Sequence, residues 1–272
     1  MKKQTQSNPS NSNPIKAKLY HGDCLTIMSH LPPQSVDLIL ADLPYGVTRQ
    51  SWDQIIPLDE LWAAYMRVCK PEANIVLLAT NPFAAKLIMS RRDWYRYDLV
   101  WVKNKSTGFL NANRMPLRRH EYILVFRAHG IGTYNAQKST GHPPVNAVSP
   151  RKQPVRAAVY GALRKRTASG GATERHPTSV LPFDVVNNDS VERIHRNQKP
   201  VSLMNFLVRS FSNPADLVLD NCMGSGTTGV ACIQSGRSFI GIEKSPACFR
   251  RAVRRIDSCR PGEAPAGGQI TS

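Results

Sequence analysis

Short apolar runs alternate with segments of helical spacing along most of this chain. One run, 74–79, is apolar at every position after Asn74, as in strands that are buried on both faces. The runs with the length and composition of strands are 18–21, 36–41, 74–79, 97–102, 121–127, 217–220 and 238–242. These runs predict a sheet whose inner strands are covered on both sides.

The segments between these runs carry apolar residues at helical spacing. In segment 57–69, apolar side chains recur with the i, i+3, i+4, i+7 spacing of an amphipathic helix. The predicted helices are 24–30, 57–69, 82–91, 200–212, 227–235 and 245–256, with Ser245 as the cap of the last. Strands that alternate with helices predict an α/β fold with a doubly wound, mostly parallel sheet.

Residues 128–178 break this alternation. Gly, Pro, Ser, Asn and basic residues dominate there, and we predict a single helix near 155–166. The segment is too long for a structureless connection inside a compact fold, so we interpret it as an inserted region. The predicted organisation is a disordered tail, a first domain half, the insert, a second domain half and a disordered tail, at 1–17, 18–127, 128–178, 179–258 and 259–272.

Positive charge is concentrated in two blocks of the chain. The formal net charge is +17, and residues 86–127 and 138–175 contribute +7 each. Such blocks can be ordinary solvated surface, but two neighbouring ones favour a polyanionic partner, nucleic acid above all. The basic residues that we expect to contact DNA are Lys103, Lys105, Arg114, Arg118, Arg119, Lys138, Arg151, Lys152, Arg156, Arg164, Lys165 and Arg166.

The composition argues against several other classes of protein. No apolar run reaches the ~20 residues of a membrane span, and the polar start of the chain has no signal-peptide core. The six cysteines form no C-x-x-C pair and no zinc-type spacing with the seven histidines. We therefore expect a cytoplasmic protein with reduced cysteines and no bound metal.

The run 36–41 leads directly into Asp42, Leu43, Pro44 and Tyr45. A carboxylate here can accept an N–H bond from an exocyclic amine, and a backbone carbonyl of the rigid turn can accept a second. The tyrosine ring can stack on a flat heterocycle. Taken alone, a strand that ends in a Pro-Tyr turn is most often only a turn, so this interpretation depends on the rest of the chain.

A glycine-rich turn follows the run 217–220. Gly224, Gly226 and Gly229 satisfy the G-x-G-x-x-G pattern of nucleotide-binding folds. An acid, Glu243, follows the next strand, where it can bind the hydroxyl groups of a ribose. No lysine follows the glycines, which excludes a P-loop.

Asp220 distinguishes between two cofactors that such a turn can hold. NAD brings a pyrophosphate to the turn, which requires bare backbone N–H groups and no neighbouring anion. Asp220 ends the strand just before the glycines, and its carboxylate suits the ammonium group of S-adenosylmethionine. The turn therefore favours S-adenosylmethionine over NAD.

Two further positions can contact a cofactor. Lys199 and its neighbouring backbone open the helix predicted from 200, where a ligand carboxylate can meet a helix N-terminus. The alternative is an ordinary loop before an N-terminal proline. Asp23 follows the first strand, where it can contact the cofactor or simply cap the next helix.

In this order, the motifs resemble those of the β-class DNA amino-methyltransferases, in which the catalytic half precedes the cofactor half. The family motif is usually Asp/Asn/Ser-Pro-Pro-Tyr/Phe, and this chain has Leu43 in place of the first proline. The resemblance covers about 19–256 apart from the insert, and the small adenine methylases often carried by phages are the most similar. The other stretches that carry it are Trp101-Val102-Lys103-Asn104-Lys105, His120-Glu121-Tyr122-Ile123-Leu124-Val125-Phe126 and Asn197-Gln198-Lys199-Pro200.

The resemblance implies a Rossmann-like methyltransferase fold in circularly permuted order and roles for individual residues. The implied catalytic residues are Asp42, Leu43, Pro44 and Tyr45. The implied cofactor residues are Asp23 near the adenine, Asn197, Gln198, Lys199 and Pro200 over the methionine, Asp220, Cys222, Gly224, Ser225, Gly226, Thr227 and Thr228 in the glycine motif, and Glu243 at the ribose. The insert stands where the family has its target-recognition region. Double-stranded DNA is the implied partner and a homodimer the implied assembly.

The predicted activity is methyl transfer from S-adenosylmethionine to the N6 amine of an adenine flipped out of double-stranded DNA. Asp rather than Ser at the first motif position favours adenine, and cytosine N4 is the near alternative. A nucleotide-dependent oxidoreductase accounts for the glycine motif alone, but the basic insert and the motif at Asp42 argue against it. A non-catalytic DNA-binding protein is expected to have lost Asp42 or the glycines, and both are present.

Overall fold

The computed structural model describes residues 15–47, 50, 53–145, 156–157, 161–162, 170–186 and 198–259, with the backbone alone at 156–157 and 161–162. The described strands are β1 (Ala17–His21), β2 (Val36–Asp42), β3 (Cys69–Ala79), β4 (Tyr95–Thr107), β5 (Arg118–Phe126), β6 (Arg156–Ala157), β7 (Gly161–Ala162), β8 (Val180–Pro182), β9 (Leu217–Asp220) and β10 (Ser238–Glu243). The described helices are α1 (Cys24–His30), α2 (Leu58–Val68), α3 (Phe83–Ser90), α4 (Val201–Phe211), α5 (Thr227–Gln234) and α6 (Pro246–Asp257), and a 3₁₀ turn spans Phe109–Asn111.

Eight of the described strands form one sheet in the order β1-β10-β9-β2-β3-β5-β4-β8. Within the described part of the chain, five of its seven pairings are parallel. The exceptions are the two pairings of β5, which runs antiparallel to both β3 and β4. The predicted α/β fold with a mostly parallel sheet is thereby confirmed.

Different helices cover the two faces of the sheet. Along β2, Ile39 and Ala41 face a core shared with α1, α2 and α3, while Leu38 and Leu40 face a core shared with α4, α5 and α6. Successive side chains of a strand point to opposite faces, and the apolar residues 38–41 of β2 are buried on both. α4 buries eight of its eleven residues, so the helix serves the core and not an interface.

Two strands, β3 and β4, are longer than the sequence predicts by five residues or more. β3 begins at Cys69, which pairs with Val36, and its first part includes the exposed residues Lys70 and Glu72. β4 continues to Thr107 in a hairpin with β5, beyond the predicted end at 102. The additional parts of both strands are largely polar and lack apolar alternation, which is why the pattern does not reveal them.

The chain divides into two compact units, residues 1–135 with 179–272, and residues 136–178. The predicted insert begins at 128, but 128–135 belongs to the first unit. There the Asn135 side chain donates a hydrogen bond of 3.0 Å to the carbonyl of Ser212. The second unit therefore begins after Asn135.

The second unit has its own hydrogen-bonded framework. Ser139 and Arg175 exchange backbone hydrogen bonds of 3.1 and 2.9 Å as an antiparallel bridge. Lys138 pairs with Glu174 at 2.9 Å. The helix predicted near 155–166 is wrong where the structure describes it, because β6 and β7 pair there as short antiparallel strands. Gly161, which opens β7, is unfavourable inside a helix.

The expected tails lie largely outside the described residues. Among the residues that the structure describes, no helix is long and apolar enough to cross a membrane. The same residues contain no group of three or more His, Cys, Asp or Glu side chains arranged to hold a metal ion.

Candidate functional site

Three acidic residues lie at the carboxyl ends of neighbouring parallel strands. Asp42 ends β2, Asp220 ends β9 and Glu243 ends β10. The register places Asp220 opposite Gly241 of β10, and β9 lies between β10 and β2. In open parallel sheets, ligands bind in the crevice outside this edge. The edge formed by β2, β9 and β10 is therefore the candidate site.

Asp220 is buried at the start of the glycine-rich turn. Its Oδ1 accepts the N–H of Cys222 at 3.0 Å, and its Oδ2 accepts the hydroxyl of Thr228 at 2.6 Å. Burial raises the pKa of Asp220 to about 7; the two hydrogen bonds oppose this rise, and the nearby carboxylates Asp42 and Glu243 add to it. A ligand cation beside this carboxylate would stabilise its charged form.

Glycine is required in the turn for two different reasons. Gly226 has φ of +76°, and a Cβ there would lie 3.1 Å from the Cβ of Ala252. Gly229 lies inside α5, where a Cβ would come within 2.5 Å of Cδ1 of Ile256. The first glycine permits the left-handed backbone and the second lets α6 pack directly against α5.

The other polar residues of the motif hold the turn together. The carbonyl of Ser225 and the hydroxyl of Thr227 both accept hydrogen bonds from Arg255, at 3.2 and 2.9 Å. The amide of Asn221 reaches the sulfur of Cys222 at 3.6 Å. The structure thus brings the predicted glycine motif together at one turn, and its roles toward a cofactor stay predictions.

Glu243 fastens the glycine turn to the start of α6. Its Oε2 accepts the N–H of Gly224 at 2.9 Å, and its Oε1 accepts the N–H of Ser245 at 2.7 Å. Ser245 in turn caps α6, as predicted, by accepting the N–H of Cys248 at 3.4 Å. The carboxylate is therefore fixed in orientation, and each oxygen keeps lone-pair capacity for a ligand hydroxyl.

Asp23 caps α1. Its Oδ1 accepts the N–H groups of Leu25 and Thr26 at 3.1 and 3.2 Å. Its Oδ2 lies 3.7 Å from Nζ of Lys244, the residue after β10. The capping alternative is thus present in the structure, and contact with a cofactor stays a prediction.

Asp42 belongs to a group of four charged side chains, Asp42, Lys103, Glu121 and Lys199, which we call the buried charge cluster. Nζ of Lys199 lies 2.8 Å from Oδ2 of Asp42 and 3.2 Å from Oε2 of Glu121. Lys103 forms a close ion pair with Oε1 of Glu121. The formal charges of the four groups cancel. The cluster combines β2, β4, β5 and the segment before α4, so only the folded chain assembles it.

The pKa values show which charges the buried charge cluster favours. Burial raises the pKa of Asp42 above its usual value, Lys199 opposes this rise and Glu121 adds to it. Burial also acts to raise the pKa of Glu121, but Lys199 and Lys103 outweigh it and lower that pKa. The pKa of Lys199 is raised, because Asp42 and Glu121 outweigh its own burial. Lys199 is therefore charged, and it favours the ionised form of Asp42.

Tyr45 contacts Asp42 directly. Its hydroxyl donates to Oδ1 of Asp42 at 2.5 Å and lies 3.5 Å from Oε2 of Glu121. Its ring stacks on Phe83, with 5.6 Å between centroids and 28° between planes, and Nζ of Lys199 lies 5.8 Å from its centroid. In this geometry Tyr45 orients the Asp42 carboxylate. Stacking on a base stays a prediction.

Two predicted site lysines form ion pairs within the protein. Lys103, predicted at a DNA surface, is only 8% exposed and pairs with Glu121. Lys199 pairs with Asp42 and Glu121, and its predicted contact with a cofactor carboxylate stays a prediction. The sequence could not predict these pairs, because they depend on how the strands and the segment before α4 come together in the fold.

Other residues of the catalytic loop have structural partners. Leu43 is 3% exposed and packs in the core with α1 to α3, so an apolar residue replaces the first proline without loss of packing. The carboxylate of Asp53 accepts the N–H groups of Gly46 and Val47 at 2.8 and 3.0 Å, which fixes the chain after Tyr45. Sequence reasoning missed Asp53, and no signal in its neighbourhood could have indicated this role.

Glu121 was also missed, although the sequence holds one signal for it. It is an acid immediately before the apolar run 122–126, and it is buried in a strand. A buried carboxylate requires a partner, so a cation at a neighbouring position could have been sought. Of the predicted motif at 197–200, Gln198 and Lys199 are described and Pro200 precedes α4, while Asn197 lies outside the described residues.

The basic residues predicted to contact DNA fall into three groups. Those exposed on the β4–β5 hairpin are Lys105, Arg114, Arg118 and Arg119. Lys138, in the second unit, pairs with Glu174. The third group lies outside the described residues and comprises Arg151, Lys152, Arg164, Lys165 and Arg166; for Arg156, which belongs with them, only the backbone is described.

Comparison with known proteins gives consistent matches. The profile of a protein family described as DNA methylase matches residues 36–254. The DNA adenine methyltransferase YhdJ of Escherichia coli strain K12 is 27% identical over 250 residues, which cover 88% of this chain and 82% of that protein.

Solved structures with a similar fold include a complex with SAM and a DNA methyltransferase. The complex of M1.HpyAVI with SAM has a TM-score of 0.59 and 23% identity, covering 89% of this chain and 99% of the other. The cytosine-N4-specific PvuII DNA methyltransferase has a TM-score of 0.62 and 14% identity, covering 88% and 86%. At these identities the structural similarity shows the fold alone.

Proposed function

The chain belongs to the N6/N4 family of DNA methylases, and from this premise we propose that it methylates the N6 amine of adenine at a specific site in double-stranded DNA. It is a DNA methyltransferase that uses S-adenosyl-L-methionine as its cofactor and DNA as its substrate. The observation that carries the proposal is the position of Asp42, which lies half-buried, 2.8 Å from Nζ of Lys199, at the carboxyl end of β2.

The glycine turn fits this cofactor. A carboxylate whose pKa is raised to about 7 by burial is stabilised by a ligand cation, and the cofactor carries an ammonium group. We therefore assign Asp220 to that ammonium, and Glu243, fixed by Gly224 and Ser245, to the ribose hydroxyls. When bound, the cofactor supplies an electrophilic methyl group on a sulfonium.

The protein must make the target amine reactive and reach it. An adenine amine is a weak nucleophile because its lone pair is delocalised into the ring. Asp42 can accept one amine N–H bond and a backbone carbonyl of Leu43 or Pro44 the other, which concentrates the lone pair on nitrogen. The amine is inaccessible inside a duplex, so the base must flip out at a cost of a few kcal/mol. Asp42 then accepts the proton that the amine loses.

The buried charge cluster suits this role of Asp42. Burial raises the pKa of Asp42 and so favours its protonated form. A protonated Asp42 could not take up the proton that the amine loses. Nζ of Lys199, 2.8 Å from Oδ2 of Asp42, opposes this rise in pKa. Oε2 of Glu121, 3.2 Å from the same Nζ, holds Lys199 in place. We assign Lys199 and Glu121 as positioning residues, which act on the amine through Asp42.

We assign residues 136–178 to target recognition, because this compact unit carries the second basic block. We also propose a cytoplasmic location, since the substrate is DNA and the relative YhdJ is bacterial.

A homodimer forms the last part of the proposal. A chain of 30.2 kDa offers limited surface to enclose a duplex, and symmetric pairing is the commonest oligomeric arrangement. Light scattering at micromolar protein, with and without DNA, should show a particle of twice the chain mass. A monomer under both conditions would contradict the dimer.

Product analysis tests the proposed reaction. The protein is incubated with S-adenosylmethionine and plasmid DNA that lacks modified bases, and the DNA is digested to nucleosides for mass spectrometry. We expect N6-methyladenine. N4-methylcytosine in its place would overturn the choice of adenine, and the absence of any methylated base would overturn the reaction.

A further inference from the structure

The tip of the β4–β5 hairpin exposes apolar side chains on an ordered turn. Phe109 is 71% exposed, Leu110 100% and Met115 58%. The turn is held by its own backbone: the N–H of Asn111 bonds to the carbonyl of Gly108 at 2.9 Å, and the N–H groups of Ala112, Arg114 and Met115 continue the pattern at 2.9 to 3.1 Å. The exposure therefore belongs to a defined conformation.

The register of the sheet places this tip on the same side as Asp42. Asp42 lies opposite Leu78 of β3, and Leu78 lies opposite Ile123 of β5. β5 is antiparallel to β3, so the chain before Ile123, through Glu121 to Arg118, extends beyond the carboxyl end of β2. β4 follows β5 outward as far as the pair Thr107 with Arg118. The hairpin thus rises from the buried charge cluster to the tip.

The positive charge around the hairpin tip favours DNA as the partner of the tip. Lys105, Arg114 and Arg118 are exposed on the same hairpin, where they can contact phosphates on either side of the apolar turn. Exposed Phe and Leu are unfavourable in water, and apolar side chains that enter between base steps are a known way to unstack a duplex. A turn with an apolar tip and basic flanks is suited to DNA from which a base is leaving.

We propose that Leu110 and Phe109 form an apolar wedge that enters the duplex at the target base pair and fills the space left by the flipped base. The proposal rests on the proposed function, because only a base that leaves the helix creates that space. Lys105, Arg114 and Arg118 hold the hairpin on the flanking phosphates. The wedge increases the fraction of DNA in which the amine reaches Asp42.

The test uses the full-length protein and synthetic duplexes that carry the methylated sequence, mapped beforehand by sequencing of modified bases. Leu110→Ala and Phe109→Ala are compared with the wild-type protein and with Met89→Ala, an equally simple truncation at a 70% exposed apolar residue on α3. Two duplexes are compared, one fully paired and one with an abasic position opposite the target. A third carries 2-aminopurine at the target, whose fluorescence rises when the base unstacks.

On the paired duplex we expect kcat/KM of the tip variants to fall about tenfold, with a matching loss of the fluorescence rise. On the abasic duplex, where unpairing costs little, kcat/KM of the tip variants should lie within about twofold of the wild-type value. Met89→Ala should match wild type on both duplexes. Tip variants that equal wild type on the paired duplex, or lose activity equally on both, would overturn the wedge alone. A wild-type protein that methylates neither duplex would overturn the proposed function, and the wedge with it.

Discussion

At the scale of single residues, Asp220 shows a conflict between stability and function. Its pKa is about 7 in the folded protein, against an ordinary value of 3.8. A raised folded-state pKa contributes stability that is complete below the unfolded value and is lost as pH rises through the folded one. The ionised carboxylate that can bind an ammonium group thus destabilises the protein at neutral pH.

We predict that Asp220→Asn increases the free energy of unfolding at pH 8 by about 1–3 kcal/mol and weakens S-adenosylmethionine binding at least about tenfold. The stability difference should grow between pH 4 and pH 7, because there the carboxyl is ionised in the unfolded wild-type chain but still largely protonated in the folded one. Thermal melts across this range and calorimetry of the cofactor measure the two effects. Asp93→Asn, at a side chain that is 66% exposed, is the matched control. A stability difference that is independent of pH would contradict the assignment.

Lys199 should control the protonation of Asp42. In Lys199→Met the carboxylate loses the cation that opposes its burial, while Glu121 and Tyr45 still face it and Lys103 still pairs with Glu121. We predict that the acidic limb of the pH profile of kcat moves to higher pH, so activity falls far more at pH 6 than at pH 9.

Lys199→Arg keeps the charge and should retain a profile close to that of wild type. Measurement of kcat from pH 6 to pH 9 for the three proteins separates electrostatics from packing. A loss in Lys199→Met that is the same at every pH would show that Lys199 acts by packing alone.

At the scale of elements, the contact between α5 and α6 positions the glycine turn. A Cβ on Gly229 would overlap Cδ1 of Ile256 at 2.5 Å. We predict that Gly229→Ala costs about 1–3 kcal/mol in the free energy of unfolding and weakens the cofactor, because α5 must shift. Ile256→Val removes the nearest overlapping atom but leaves the ring of Phe239 at 2.7 Å, so the double variant should recover part of the loss. Strictly additive effects in chemical denaturation would contradict this packing.

The strands differ in how well the sequence pattern predicts their bounds. β2 and β9 are predicted to within one residue, because each is a short apolar run that is buried on both faces. The hairpin formed by β4 and β5 is predicted only in its inner part, since its outer part is polar and exposed. β8 is too short to carry a pattern, and it is defined by its pairing with β4.

The candidate site was predictable where its residues are consecutive. Asp42 and the glycine turn follow buried strands, so local pattern and chemistry place them together at one edge. The buried charge cluster was not predictable, because Glu121 and Lys103 come near Asp42 through the strand order β2-β3-β5-β4, with Lys199 between the two carboxylates. Contacts of that kind depend on topology, which no single segment encodes.

At the scale of the whole molecule, the two basic blocks should have separable roles. Ser139 and Arg175 pair in the second unit, so Gln137 and His176 are brought near each other and a short linker can replace 138–175. We predict that this deletion removes site specificity but leaves cofactor binding intact. DNA affinity should also depend less steeply on salt, because fewer phosphate contacts release counterions.

Calorimetry with S-adenosylmethionine and DNA binding across a salt series measure these effects. A shortened protein that methylates the same sequence as wild type would place recognition on the first unit, around Arg114, Arg118 and Arg119.

For the whole protein, we predict that Asp42 directs methyl transfer to adenine N6 at a defined DNA sequence. The most direct measurement is sequencing of modified bases in genomic DNA from bacteria that lack their own methylases and express either the wild-type protein or Asp42→Asn. We predict N6-methyladenine at one short sequence throughout the wild-type genome, and at least about a hundredfold less activity in Asp42→Asn. N4-methylcytosine at that sequence, the same modification in both strains, or no modification in either would contradict this role of Asp42.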